Sequence, residues 1–268
     1  MLLTYIVGNV EYYIFNTQLL DIRNNIHEII LIKLPIRDVV RTSILSSKWR
    51  YKWATLTQLA FDDNCLTLCN DRAIVENNLS NFITWCLFLH DGPIHKFSLS
   101  TSYLQCSYDI DQRLLFLLQK DIKDLVLELG EGKWFRAPSS LFFCKKLTHL
   151  ELLNLQQVLI PPHDIECPIA SCPLLESLTL SYFDSLELIV SASNLKYLIL
   201  EGEFKDICLV NTPLLVLISV AMYMTDDIAE HFEQSSSYNF DKFLGGVPQL
   251  EKLIGHIYFT KVSISTYF

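Results

Sequence analysis

One spacing recurs seven times after residue 93, in whole or in part: apolar-x-x-apolar-x-apolar. It reads Ile94-x-x-Phe97-x-Leu99, Ile122-x-x-Leu125-x-Leu127, Leu147-x-x-Leu150-x-Leu152, Leu175-x-x-Leu178-x-Leu180 and Leu195-x-x-Leu198-x-Leu200. A weaker copy is Leu215-x-x-Ile218-x-Val220, and Leu250-x-x-Leu253 opens another. The central apolar positions lie 28, 25, 28, 20, 20 and 35 residues apart. An apolar-x-apolar run is a short strand with both apolar side chains on one face. No single copy can bury that face alone, so the copies must stack, and stacking makes a parallel sheet with a continuous apolar core.

The period identifies these copies as irregular leucine-rich repeats. Their junctions repeat as well: Cys172-Pro-Leu-Leu175 and Thr212-Pro-Leu-Leu215 are near copies. Return segments carry prolines at Pro138, Pro161 and Pro162. If the leucines point inward, the residues flanking them face outward. Those are Val126 and Glu128, His149 and Glu151, Ser177 and Thr179, then Tyr197, Ile199 and Glu201. Glu128, His149, Glu151, Thr179, Tyr197, Ile199 and Glu201 are therefore the candidate client-binding residues. Glu128 and Glu201 hold equivalent places, so a partly acidic strip is expected, suited to a basic client segment; a merely solvated sheet face is the other reading.

Residues 1–93 have a different character. Residues 33–53 carry six Lys or Arg against Asp38, a net of +5, which leaves −14 for the remainder of a 268-residue chain of net charge −9. An acidic body speaks against general nucleic-acid binding. A first helix is expected from about Asn24, capped by Asn25 with Glu28 in the capping-box position, Ile26, Ile29 and Ile30 on one face, and Leu34-Pro35 as its stop. A second runs over about 37–45, with Asp38 in its first turn and Val40 and Ile44 on its apolar face. Ser46 or Ser47 caps a third, in which Trp49 and Trp53 stack at i, i+4. Three short helices are too small to be stable alone, so their apolar surface needs a partner; equally, the two tryptophans could fill an internal core. Residues 76–89 read as a further helix with Leu79, Phe82, Ile83, Cys86 and Leu87 on one face, and with Trp85 and Phe88 as core aromatics.

Leu34-Pro35, Arg37-Asp38, Val40 to Ser43 with Leu45-Ser46, and Trp49-Arg50 with Trp53 follow one another in the order seen in the plant F-box/FBD/LRR-repeat proteins. The stretch closely resembles the F-box of that family, and the C-P-x-L and N-x-P-x-L junctions resemble its repeats. The resemblance covers roughly residues 24–260. It implies an α/β chain, a small three-helix F-box followed by a leucine-rich-repeat solenoid with a parallel sheet. It implies docking on a Skp-type adaptor through Ile26, Ile29, Leu34, Pro35, Val40, Ile44, Leu45, Trp49 and Trp53. Through the adaptor the chain would join a cullin-RING (SCF) ubiquitin ligase as its substrate receptor, with a protein client held on the repeats. The corresponding division is 1–20 as an atypical segment, 21–60 as F-box, 61–93 as helical linker and cap, and 94–268 as repeats. Two departures stand out. The family's box opens with an earlier Leu-Pro where this chain has Asp21-Ile22, which leaves open a degenerate box that captures a client without joining the ligase. The family often continues into an FBD region, and none is legible before Phe268, so the chain reads as shortened.

No G-x-x-x-x-G-K-S/T, G-x-G-x-x-G, G-x-S-x-G or H-E-x-x-H occurs, and the histidines are dispersed. Cys144 beside Lys145 and Lys146 has basic neighbours but no identifiable base. The eight cysteines lack metal-ligand spacing. No catalysis, cofactor or metal is expected. Residues 1–15 are apolar but have no basic n-region, and no run reaches the roughly 18 apolar residues of a membrane span. The expected location is the nucleus or cytoplasm, with no membrane or nucleic-acid partner.

Overall fold

A computed structural model describes residues 29–45, 49–65, 72–104, 108–129, 141, 144–153, 158–159, 172–224 and 247–259. The expectations at residues 1–28, Ser46, Ser47, Pro138, Pro161 and Pro162 lie outside these, Ile26 and Asp21-Ile22 among them. The described strands are β1 (Gln58–Asp62), β2 (Lys96–Thr101), β3 (Asp124–Leu129), β4 (His149–Leu153), β5 (Val158–Leu159), β6 (Ser177–Ser191), β7 (Tyr197–Val210), β8 (Leu217–Met224) and β9 (Lys252–Phe259). They form one nine-stranded sheet in the order β1-β2-β3-β4-β6-β7-β8-β9, with β5 pairing the middle of β6. Every pairing is parallel. The chain is α/β with a leucine-rich-repeat-like sheet.

Registers align the repeat positions strand by strand. One inward row runs Leu59, Phe97, Leu125, Leu150 and on through Leu178, Leu198, Ile218 and Leu253. The next runs Phe61, Leu99, Leu127, Leu152, Leu180 and Leu200 to Val220. The leading apolar residue of each copy, from Ile94 to Leu215, is fully buried, and all belong to one continuous core. Leu253 is the exception among the inward residues: it sits on the last described strand and is exposed on its open side.

The junctions explain the strict register. In each, one carbonyl accepts two successive backbone N–H groups from the next repeat: Thr57 from His95 and Lys96, His95 from Lys123 and Asp124, Thr148 from Glu176 and Ser177, Lys196 from Val216 and Leu217. A tight turn precedes, closed by Leu175 N–H to the Cys172 carbonyl (3.1 Å), Leu195 to Ala192 (3.1 Å), Leu215 to Thr212 (3.3 Å) and Leu250 to Val247 (3.3 Å). Pro173, Pro213 and Pro248 take the second position of these turns, where a φ near −65° is already required. The first position is buried and small: Cys172, Ala192, Thr212 and Val247.

The sheet starts earlier than the sequence suggested. Leu56-x-x-Leu59-x-Phe61 is a further copy of the repeat, so residues 58–62 are strand rather than the end of the F-box or a linker. Helix α2 (Arg72–Leu89) is its return segment, with Val75, Leu79, Ile83 and Cys86 buried at helical spacing, as expected for 76–89. Trp85 and Phe88 are not core: both are exposed, Phe88 by 82%, because they fall outside the helix face that carries Val75, Leu79, Ile83 and Cys86. Helix α3 (Tyr108–Leu118), which periodicity had not singled out, returns from β2 with Ile110, Leu114 and Leu117 buried. Arg113 ties it to α2, donating to the Ser80 carbonyl (3.0 Å) and to Thr84 Oγ1 (3.0 Å).

Ahead of the sheet, residues 29–31 are helical and α1 spans Ile36–Arg41, prolonged by a 3-10 turn at Thr42–Ile44. Pro35 supplies its start, Asp38 lies in its first turn and Arg41 in its last, 3.6 Å from Asp38. The expected third helix is absent among the described residues: 49–52 are turns and Trp53–Thr55 is a 3-10 turn. Leu31, Ile36 and Val39 share the core of the repeats.

Candidate docking surfaces

Two surfaces follow from this fold. The first is the basic segment at residues 29–55. Among the expected adaptor contacts, Ile29, Ile44 and Leu45 are exposed large hydrophobics, Ile44 by 77%, and Pro35 is exposed beside them in sequence. The structure adds Ile32 and Tyr51, both exposed, which sequence reasoning had passed over. Leu34, Val40 and Trp49 are partly buried against the core. A cavity of about 60 Å³ lies where this segment meets the sheet, lined by Leu31, Leu34, Ile36, Leu56, Lys96 and Ser98 among others. It is far smaller than an ordinary ligand pocket.

Of the two readings open for Trp53, adaptor contact or internal core, the structure has the second. Trp53 is 5% exposed and stacks on Trp85 of α2, ring centroids 5.4 Å apart and 18° from parallel. The residues between Trp49 and Trp53 turn instead of continuing a helix, which sends the second ring inward and leaves it unavailable to a partner. Among the described residues the stacking partner of Trp53 is Trp85, which spacing in the sequence does not link to it. Nearby, His90 is buried with Nε2 2.8 Å from the Leu56 carbonyl, and burial holds its pKa below the ordinary value. Asp91 N–H reaches the Ala54 carbonyl at 2.7 Å. The basic segment is thus fastened to the first repeat at both Trp53 and Ala54.

The second surface is the outward face of the sheet. Tyr197 and Ile199 are exposed there and Glu128, Glu151 and Glu201 half-exposed. His149 is exposed with Nδ1 2.9 Å from Asp124. Thr179 differs from expectation: at 8% exposed it is covered between Glu151 and Ile199, its neighbours in register. The equivalent glutamates are both held by hydroxyls. Ser100 Oγ donates to Glu128 at 2.5 Å and Tyr223 OH to Glu201 at 2.6 Å. The second bond, with burial, raises the pKa of Tyr223, so it stays a protonated donor. Tyr182 is the extra residue of a bulge between Ser181 and Phe183, at φ 61°, and its ring stacks on Tyr223 at 5.9 Å. Neither tyrosine had been marked in the sequence: the bulge shifts the alternation that assigns a face to Tyr182, and Tyr223 lies beyond the last repeat position that had been read.

Nucleophilic chemistry finds little support. Burial pushes the thiols of Cys65, Cys86 and Cys172 up to about 12. Among the described residues no group of three or more His, Cys, Asp or Glu could hold a metal ion. No described helix is long and apolar enough to cross a membrane.

The chain is 60% identical over 260 residues to an F-box/FBD/LRR-repeat protein of Arabidopsis thaliana, an alignment that takes in 90% of this chain and 62% of that one. The chain belongs to the plant F-box/LRR-repeat family. An Arabidopsis F-box/LRR-repeat protein is 28% identical over 230 residues, 75% of this chain and 59% of its own length. A second is 27% identical over 257 residues, 85% of this chain and 53% of its own. This family member therefore spans little more than half to three-fifths of the length of these relatives. No family model and no solved structure matches it.

Proposed function

We propose that this chain is the substrate-recognition subunit of an SCF-type ubiquitin ligase. The segment that bears the F-box motif, ending before the strand at Gln58, docks on a Skp-type adaptor, and through it on a cullin-RING ligase. The repeats hold a protein client for ubiquitination in the nucleus or cytoplasm, and the chain performs no catalysis itself. One observation carries this reading: within the segment bearing the family's motif, Ile29, Ile44 and Leu45 stand exposed while Leu31, Ile36 and Val39 anchor it to the repeats. Large apolar side chains held outward on a fixed segment favour burial against a partner. Asp21-Ile22, in place of Leu-Pro, favours a second reading, client capture without entry into the ligase.

Co-expression with a Skp-type adaptor separates the two. Burying Ile44 contributes about 1.5–3 kcal/mol, so Ile44→Lys weakens a complex by roughly tenfold to a hundredfold without touching the core. A complex that survives Ile44→Lys and Leu45→Lys together removes the proposed interface. No complex at micromolar concentration, restored by placing Leu-Pro at 21–22, establishes the second reading.

A further inference from the structure

The outward residues of β7 are Tyr197, Ile199 and Glu201: aromatic, aliphatic and acidic at alternate positions. The neighbours of Ile199 and Glu201 in register are small, Thr179 and Ser181 on β6 and Ser219 and Ala221 on β8, while Tyr197 lies between Ser177 and Leu217. Ile199 and Glu201 therefore stand above their neighbours on both sides, and Tyr197 on the β6 side. Beside Glu201 the surface changes character. Tyr182 comes from β6 and Tyr223 from β8, strands that lie about 9.5 Å apart with β7 between them. Their rings nevertheless meet, 5.9 Å apart and 18° from parallel. They join over β7 with the Glu201 carboxylate at their margin, fixed by the Tyr223 hydroxyl. Tyr182 reaches this place only because the bulge holds it in the left-handed region, where a tyrosine is strained.

Charge narrows what such a platform takes. The third outward row runs Ala60, Ser98, Val126, Glu151, Thr179, Ile199, Ser219 and Ile254. The fifth contains Asp62, Ser100, Glu128, Leu153, then Ser181, Glu201, Ala221 and His256. Four carboxylates stand in these two rows and no lysine or arginine, while the outward row through Tyr197, four residues from Glu201, holds Lys96 and Lys252 with Asp124. An aromatic face with a carboxylate at its edge attracts a cation, and a planar guanidinium satisfies both groups at once, stacking on the ring while donating to the oxygens.

We propose that the Tyr182–Tyr223–Glu201 platform and the adjoining Ile199 and Tyr197 take an extended segment of a partner protein, an arginine on the platform and apolar side chains at two-residue spacing along β7. An extended chain repeats its side chains at the same interval as a strand, about 6.5–7 Å for every second residue, so the three contacts are met in step. This deepens the client-holding reading, on which it rests for the claim that the bound segment belongs to a client.

The test uses the full chain and fluorescein-labelled Ile-Ser-Leu-Ser-Arg, its reversed sequence, and both with citrulline in place of arginine, read by fluorescence anisotropy. Citrulline keeps the shape and removes the charge. The expected result is binding of one arginine peptide, about tenfold weaker for its citrulline form and for the chain carrying Glu201→Gln or Tyr182→Asn. Asparagine tolerates the left-handed backbone, so Tyr182→Asn removes the ring without unfolding the bulge, which an unchanged thermal melt checks. Glu251→Gln, at an exposed position just before β9, is the control and leaves binding unchanged. No binding of either arginine peptide, equal binding of the citrulline forms, or full binding by Glu201→Gln overturns the proposal. Adaptor co-purification is measured on the same preparations. Loss of the adaptor complex with arginine-peptide binding intact overturns the ligase reading alone, and the converse overturns this one alone.

Discussion

Thr212 is 0% exposed, and its Oγ1 is buried with no hydrogen-bond partner. It occupies the first position of a turn whose counterparts are Cys172, Ala192 and Val247, so the site is one the fold fills with small apolar groups. Thr212→Val exchanges the hydroxyl for a methyl of almost the same volume, and Val247 shows that the turn accepts that side chain. Leaving a hydroxyl buried and unbonded costs about 1–3 kcal/mol, and burying one more methyl contributes a fraction of that again. Discounting for imperfect fit, the substitution stabilises by about 1–2 kcal/mol. In urea, where m is about 2–3 kcal/mol/M for a chain of this size, the midpoint rises by roughly 0.3–1 M, and Tm rises by about 2–8 °C. Thr212→Ser, which keeps the hydroxyl and removes the methyl, goes the other way. A valine variant that melts below the parent would show that the hydroxyl is satisfied, and would refute the reasoning.

Trp53→Ala removes a nearly fully buried ring and costs about 3–5 kcal/mol of stability in urea unfolding; a cost under 1 kcal/mol, with adaptor binding alone affected, would return Trp53 to the docking surface. A double-mutant cycle of Trp53 and Trp85 to leucine shows a coupling of about 0.5–1.5 kcal/mol from the stack, and a coupling of zero contradicts it. Leu178→Ala costs about 2–5 kcal/mol, whereas Leu253→Ala, at the same row position but half-open to solvent, costs well under half as much in the same assay. His90 has a pKa held below 6.5 by burial, so the unfolded chain binds its proton first as the pH falls. Stability is full above pH 6.5 and drops below it, by up to about 1.4 kcal/mol per pH unit, and His90→Gln, which can still donate to the Leu56 carbonyl, flattens that slope in pH-dependent melts.

The repeats were legible because nearly every copy carries two inward apolar residues, mostly leucines, at a period of two and a leading apolar residue three positions earlier. The copy at Leu56, Leu59 and Phe61 was hidden by its setting, directly after a basic stretch with a motif of its own. Spacing alone left Trp53 open between docking and core, since a helix and a turn place residue i+4 on different sides. The outward face was readable wherever strict alternation held. It stopped being readable at Tyr182, where one inserted residue puts a bulky ring on the exposed face and conceals the Tyr182–Tyr223 pair from any count of alternate positions.

The in-order sheet also has a mechanical consequence. Among the described strands, each pairs only with those next to it in the fold, and no pairing joins the first strand to the last. Stretched from its two ends, the array would come apart strand by strand and not in one rupture, with each step releasing the residues between successive strands. For the 20-residue spacings that is about 7 nm of chain per step. The β6–β7 pair, with thirteen positions in register, would be the last to part.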